Sequence, residues 1–318
     1  MPFLIGTDEA GYGPNLGPLL VGASLWQVPQ ESRAEELYRL LEHCVCVEPD
    51  EKRLAIADSK LLYKPGLGLA ALERVVLAVL AHCGEPIGDW DALWPALAGI
   101  SAADLACHPW HEGLALAVPR DVTAEEIRKS SAALGCGLES AGVRMATLQA
   151  RAVFPDRFNM QVRQCGNKAE VLSLTTLRLI AELLERVPIG NDVVVTCDKH
   201  GGRDYYAALV QHVFPDTWVR VVREGPAESV YRFAWENRRI ELRFLMGGER
   251  MLPTALASMA AKYLREIAMV PFNAFWQRHV PGLKATAGYP MDSRRFLKEI
   301  RPACRRLGLA EETFWRHV

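Results

Sequence analysis

Residues 6–18 read GTDEAGYGPNLGP and follow directly on the apolar run Pro2–Ile5. That run predicts a short buried strand over residues 2–8, with two carboxylates, Asp8 and Glu9, at its tip. Successive side chains on a strand face opposite ways, so the pair shares one site only where the strand ends and the chain turns. Gly11, Gly13 and Pro14 supply the turn. An acidic surface turn is the plain alternative, because Asp and Glu are usually exposed. A dinucleotide-binding glycine pattern is excluded, since Leu16 stands where its third glycine would be.

Working outward, LLVGASLWQV (19–28) predicts a second strand, and ESRAEELYRLLEHC (31–44) and LGLAALERVVLAVLAHC (67–83) carry helical spacing. A helix is expected from Thr123, capped by Thr-Ala-Glu-Glu, then a strand near VRMATLQARAVF. KAEVLSLTTLRLIAELLERV is a long helix, and DVVVTCD after it is a β-branched run ending in Asp198, with glycines close behind. A further helix is expected from about Arg203, then a strand in TWVRVVRE. SVYRFAWENRRIELRFL alternates around a polar turn and reads as a hairpin. From Pro253 the chain is mostly helical, and Pro302 is expected to interrupt or kink its last helix. Strands separated by helices after an opening strand pair predict an α/β fold with a mixed sheet. One body over 1–290 is expected, with an irregular, Trp-rich insertion at about 84–122, an added hairpin at about 228–246, and a helical C-terminal part over 291–318.

Composition sets the frame. Half of the 318 residues are hydrophobic and the net charge is -1, so a grip on a polyanion must come from local basic patches. No apolar run approaches the roughly 20 residues of a membrane span, and no basic leader precedes the first acids, so a cytoplasmic protein without membrane contact is expected. The eight cysteines show no Cys-x-x-Cys spacing and are read as reduced thiols. Cys107, His108 and His111, with His82 and Cys83, fit no common zinc spacing.

A fourth acid joins Asp8, Glu9 and Asp198. In TALASMAAKYLREIAM the apolar stripe faces one way, while Ser258, Lys262 and Glu266 align on another face. Asp8, Glu9, Asp198 and Glu266 together would make a hard-oxygen site suited to Mg²⁺ or Mn²⁺ rather than zinc. Elsewhere, Arg294, Lys298, Arg301 and Arg305 recur at helical spacing, and Arg232, Arg238, Arg239 and Arg243 line the hairpin. Either set is a solvated face or a nucleic-acid contact.

TDEAGYGPNLGPLLVGA resembles the opening motif of the type 2 ribonucleases H (ribonuclease HII and its relatives), in which an Asp-Glu pair precedes Ala-Gly-x-Gly-Pro. DSK at 58–60, the strand-ending Asp198, ASMAAKYLRE at 257–266 and GYP at 288–290 agree in order. The resemblance implies a ribonuclease H-like mixed sheet flanked by helices, and hydrolysis of the RNA strand of RNA/DNA hybrids or of ribonucleotides embedded in DNA. It implies two divalent ions on Asp8, Glu9, Asp198 and Glu266, the last standing where the family has an aspartate. It further implies substrate contacts at Gly11, Tyr12, Gly13, Lys60, Ser258, Lys262 and Tyr289, with Tyr289 packed on the sugar beside the cleaved phosphate. Tyr12 stands where the family usually has arginine, Lys199 follows Asp198 where glycine is usual, and Ala287 replaces a lysine. A catalytically weakened hybrid-binding protein and a nuclease acting on DNA alone are the competing expectations.

Overall fold

The structure, a computed structural model, describes residues 2–30, 32–63, 68–114 and 116–317. Glu31 and Leu67, which open two of the predicted helical stretches, lie outside the described residues. Strand β1 (Phe3–Ala10) and β2 (Leu19–Gln27) are followed by α1 (Leu37–Leu40), β3 (Val45–Cys46), β4 (Leu54–Ala55), α2 (Ser59–Leu62), α3 (Ala70–His82), α4 (Trp90–Ala98), α5 (Ala102–Leu105) and α6 (Ala124–Ser140). Then come β5 (Arg144–Val153), α7 (Pro155–Cys165), α8 (Lys168–Glu185), β6 (Asp192–Asp198), α9 (Ala207–Val213), β7 (Arg220–Arg223), β8 (Glu228–Trp235), β9 (Arg238–Leu245), α10 (Leu252–His279) and α11 (Pro290–Leu307). Among the described residues no helix is long and apolar enough to cross a membrane.

The expected mixed sheet is present. Its seven strands run in the order β5-β2-β1-β6-β9-β8-β7, with β1 parallel to β6 and β6 parallel to β9, and the outer pairs antiparallel. Period-two alternation splits the side chains of β1 and β2 between two cores. Phe3, Ile5, Leu19, Val21 and Leu25 pack against α8, whereas Leu4, Ala10, Leu20 and Trp26 pack against α10 and α3. The hairpin β8–β9 turns at Glu236 and Asn237, both with positive φ (45° and 59°), the backbone that matches strand twist in a two-residue turn. Its aromatic face is buried: Tyr231 lies opposite Leu242 and Phe233 opposite Ile240. The hairpin arginines are engaged by acids or carbonyls, Arg232 by Glu241, Arg239 by Asp192, and Arg238 by Glu236 and the Val187 carbonyl.

Two expectations are corrected. Residues 90–105, which show no sustained period, contain α4 and α5. Pro95 lies within α4, and Trp90 and Trp94, one turn apart with ring centroids at 5.4 Å, bury into the core beside β5. Pro302 likewise does not end α11, which continues to Leu307 and buries Phe296, Ile300, Ala303 and Cys304 opposite the exposed Arg294, Lys298, Arg301 and Arg305.

The loop at 118–122 is held by Glu73. This fully buried carboxylate accepts from the backbone N–H of Arg120, Asp121 and Val122 and from the Tyr263 hydroxyl.

Helix α10 is central because it lies on strand backbone rather than on side chains. A Cβ built on Gly6 would stand 2.1 Å from the Pro253 carbonyl carbon, and one on Gly22 would stand 2.1 Å from the Ala257 oxygen. Ser24 Oγ donates to the Pro253 carbonyl at 2.7 Å and Thr254 Oγ1 to the Thr196 carbonyl at 3.1 Å, which pin the helix's first turns across β2 and β6. Gly22→Ala is therefore expected to cost about 3 kcal/mol or more, since neither backbone can yield, and chemical denaturation measures it. A loss below about 1 kcal/mol would mean that the helix does not sit this close.

Candidate active site

Strand β1 pairs with β2 as far as Ala10, but its pairing with β6 stops at Thr7 opposite Cys197. Asp8 and Glu9 thus remain in extended backbone while their β6 side is open. This differs from the expected strand end after residue 8: the site opens where one neighbouring strand stops rather than where β1 itself does. Asp198, the last residue of β6, lies at that opening.

Immediately after β9, Gly248 donates its N–H to Asp198 Oδ1 at 2.9 Å. A Cβ on Gly248 would lie 3.0 Å from the Cys197 oxygen and 3.1 Å from the Asp198 Cα, so any side chain there would press on the end of β6. The next residue, Glu249, is thereby brought beside Asp198 and within electrostatic reach of Asp8.

The third wall is α10. Ser258 is buried and hydrogen-bonds Asp8. Its Oγ also lies 3.1 Å from Ser59 Oγ, which docks α2 onto the helix and sets the exposed Lys60 beside the acids. Asp58 caps α2 by accepting from the Lys60 N–H at 2.9 Å. Burial works against the Lys60 charge, but Asp58, Glu249, Asp8 and Asp198 outweigh it and hold the ammonium above the ordinary lysine range.

The structure therefore brings together Asp8, Glu9, Asp198, Ser258 and Lys60 from the sequence expectation. It does not bring Glu266. Ser258 to Glu266 is two turns of helix, about 12 Å of rise, and Glu266 is occupied there. Lys262 Nζ donates to its Oε1 at 2.6 Å and the Tyr63 hydroxyl to its Oε2 at 2.9 Å. The fourth acid beside Asp198 is Glu249, which lies in the polar turn MGGER, where no periodicity marks it.

Among the other expected contacts, Gly11 sits against Arg265 and Gly13 is exposed at the rim. Tyr12 packs beside Gly201 with Lys168 Nζ 5.0 Å from its ring centroid. Tyr289 is exposed at the start of α11. Lys199 is not a free cation: its Nζ donates to Asp204 Oδ1 and to the Gly225 carbonyl, each at 2.6 Å.

The loop 11–18 is held from below by two buried arginines that sequence reading missed. Arg265 donates to the carbonyls of Pro18, Leu16 and Ala287. Arg316, from the chain's last turn, donates to those of Gly11 and Pro14.

Electrostatically the acid cluster is under tension. Burial, then Asp198 and Glu249, raises the Asp8 carboxyl to about 7 against the opposing bond from Ser258. Burial, then Asp8 and Asp198, pushes Glu9 well above the usual carboxylate range. Burial is also the first cause at Asp198, raised to about 6. One buried oxygen each of Glu9 and Glu249 has no hydrogen-bond donor.

Among the described residues no three carboxylate, imidazole or thiol groups are drawn into a ready-made metal site. The fit to a divalent cation is one of donor chemistry: hard oxygens, excess negative charge and unpartnered buried lone pairs. The Cys107–His111 segment shows a different character, with His111 stacked on Trp90 and His108 facing Asp156.

No protein-family model matches the chain, and no curated protein matches it by sequence. Among solved structures it is similar to the PCNA:RNase HII complex from Archaeoglobus fulgidus, at 14% identity over 98% of this chain and 93% of that one, TM-score 0.47. It is similar to Bst-RNase HIII in complex with Mn²⁺, at 14% identity over 99% of this chain and 66% of that one, TM-score 0.46. Ribonuclease H2 from Pyrococcus horikoshii OT3 gives 12% identity over 98% and 92%, TM-score 0.47.

Folding raises the Asp8 and Asp198 pKa values above those of the unfolded chain, so their contribution to stability is full below about pH 4 and is lost as pH rises through about 6 to 7. Without divalent ions, Tm is expected to fall between pH 5 and pH 7.5, and Asp8→Asn to flatten that fall. Added Mn²⁺ should raise Tm more at pH 7.5 than at pH 5, because protons and the cation compete for the same oxygens. Thermal scans across pH with and without Mn²⁺ check both; a metal-free Tm indifferent to pH contradicts the burial of these acids.

Proposed function

We propose that the chain is a divalent-metal-dependent endonuclease of the type 2 ribonuclease H kind, acting on the RNA strand of RNA/DNA hybrids or on ribonucleotides embedded in DNA. The observation that carries this reading is the gathering of Asp8, Glu9, Asp198 and Glu249 at the open ends of adjacent strands, with Lys60 beside them. Acids packed this closely repel one another, and a stable fold keeps such a cluster where cations relieve it. Mg²⁺ or Mn²⁺ on these four carboxylates would supply Lewis acidity at a phosphodiester.

The remaining roles belong to the chain itself. Ser258 orients Asp8 through its hydroxyl, and Gly248 orients Asp198 through its N–H. Lys60, a charged donor on a capped helical turn, holds a phosphate oxygen of the strand. Gly13, exposed and free of any close neighbour that a Cβ would meet, lets the substrate backbone approach the loop. Tyr12, held between Lys168 and Gly201, and Gly11 complete that rim. Tyr289, exposed at the start of α11, packs on the sugar, and contact with a 2'-hydroxyl is how RNA is told from DNA. The protein works away from membranes, in the cytoplasm.

Purified protein with Mg²⁺ or Mn²⁺ is expected to cut a labelled RNA/DNA hybrid, or DNA holding one ribonucleotide, and to leave an all-DNA duplex intact. Asp8→Asn and Glu249→Gln should each lower kcat on the order of a hundredfold or more. Binding without any cutting would make this a hybrid-binding protein, and cutting of the all-DNA control would reassign the substrate.

A further inference from the structure

Glu266 has a partner set of its own. Both carboxylate oxygens are taken, one by Lys262 Nζ at 2.6 Å and one by the Tyr63 hydroxyl at 2.9 Å, and the Glu266 and Lys262 side chains are only 19% and 20% exposed. Lys262 Nζ also lies 4.7 Å from the Tyr63 ring centroid, so cation, ring and carboxylate form one closed unit. An ammonium has three donors, and those not spent on Glu266 remain for a ligand.

Position decides what that ligand is. Lys262 stands one helical turn beyond Ser258, which bonds Asp8, and Glu266 one turn beyond Lys262. Tyr63 directly follows α2, so this segment is fastened to α10 twice, by Ser59 on Ser258 and by Tyr63 on Glu266, with Lys60 between the two fastenings. Tyr289, exposed, lies in electrostatic contact with Tyr63. The unit thus lines a track that leaves the acids along α10, cationic at Lys60 and Lys262 and aromatic at Tyr63 and Tyr289. Alternating charge and ring faces suit a sugar-phosphate strand.

We propose that Glu266 is a positioning residue which holds Lys262 as a phosphate contact and Tyr63 as an aromatic wall for the strand beyond the cleavage point, and that it ligates no cation. This rests on the nuclease assignment and extends it by one nucleotide step along α10. Glu266 acts only through its two partners. Losing its charge frees Lys262 to wander, and losing the Tyr63 hydroxyl breaks the second fastening of α2.

The test is steady-state cleavage and Mn²⁺ calorimetry on the full chain. Glu266→Gln keeps an acceptor for Tyr63 but removes the charge that Lys262 needs, and Tyr63→Phe keeps the ring but removes its bond. Each is expected to raise KM by about fivefold to tenfold with kcat within about twofold, and the double variant to do little more than either alone, because the residues act as one unit. Mn²⁺ affinity should be that of the wild type in both, whereas Glu249→Gln should weaken it. A hundredfold loss of kcat in Glu266→Gln, together with weakened Mn²⁺ binding, would make Glu266 a ligand and overturn the proposal. Unchanged KM in both variants would overturn it equally. If the wild type does not cut, anisotropy with the ribonucleotide-containing duplex reads the same contrast in Kd. A wild type that neither cuts nor binds ends the nuclease assignment itself, and wild-type binding untouched by both variants ends this inference alone.

Discussion

The close seating of α10 on the bare backbone of β1 and β2 governs the rest of the molecule. Two strand residues without side chains, Gly6 and Gly22, let the helix come within contact of the sheet, and Ser24 and Thr196 then hold its first turns by hydrogen bonds. From that placement follow the bond between Ser258 and Asp8, the docking of Ser59, and the reach of Arg265 to the carbonyls of Leu16, Pro18 and Ala287. A helix held further out by side chains would leave Asp8 facing a gap. Close-packed interiors transmit such a shift rather than absorb it.

Two kinds of acid divide the labour. Glu73 has no exposed surface and is met by three backbone N–H groups and the Tyr263 hydroxyl, so its lone pairs are spent on holding a loop. Glu9 and Glu249 each keep a buried oxygen without a donor, and Asp198 and Glu249 contact one another. Satisfied carboxylates stabilise a fold, while unsatisfied ones crowded together weaken it unless something outside the chain completes them. The second kind occurs here at the open end of the central strands, where a ligand can arrive.

The loop 11–18 shows how distant chain segments finish one surface. Its carbonyls receive Arg265 from α10 and Arg316 from the chain's last turn, while Asn15 and Leu16 donate to the Gly288 carbonyl. The loop therefore links the acids to the segment bearing Tyr289.

Much of this was legible in order along the chain. Strand β6, the long helix α8 and the hairpin β8–β9 follow from local periodicity, because burial of one face imposes a repeat of two or 3.6 residues wherever the element lies. Asp8, Glu9 and Asp198 stood out for the same reason, as charges closing apolar runs. Helix α4 did not, since Pro95 and scattered tryptophans mask a repeat that packing against β5 sustains. Helical spacing put Ser258, Lys262 and Glu266 on one face, yet only the strand beneath decides which turn meets Asp8, and it is the turn of Ser258. Glu249 sits in a glycine turn with no repeat to announce it, and reaches Asp198 because Gly248 lets the chain fold back over β6. Sequence alone determined most of the elements and the acids that follow apolar runs, which are properties of near neighbours. Tertiary structure alone decided which fourth acid joins them, because that depends on where a turn and a helix cross strands far away in the chain.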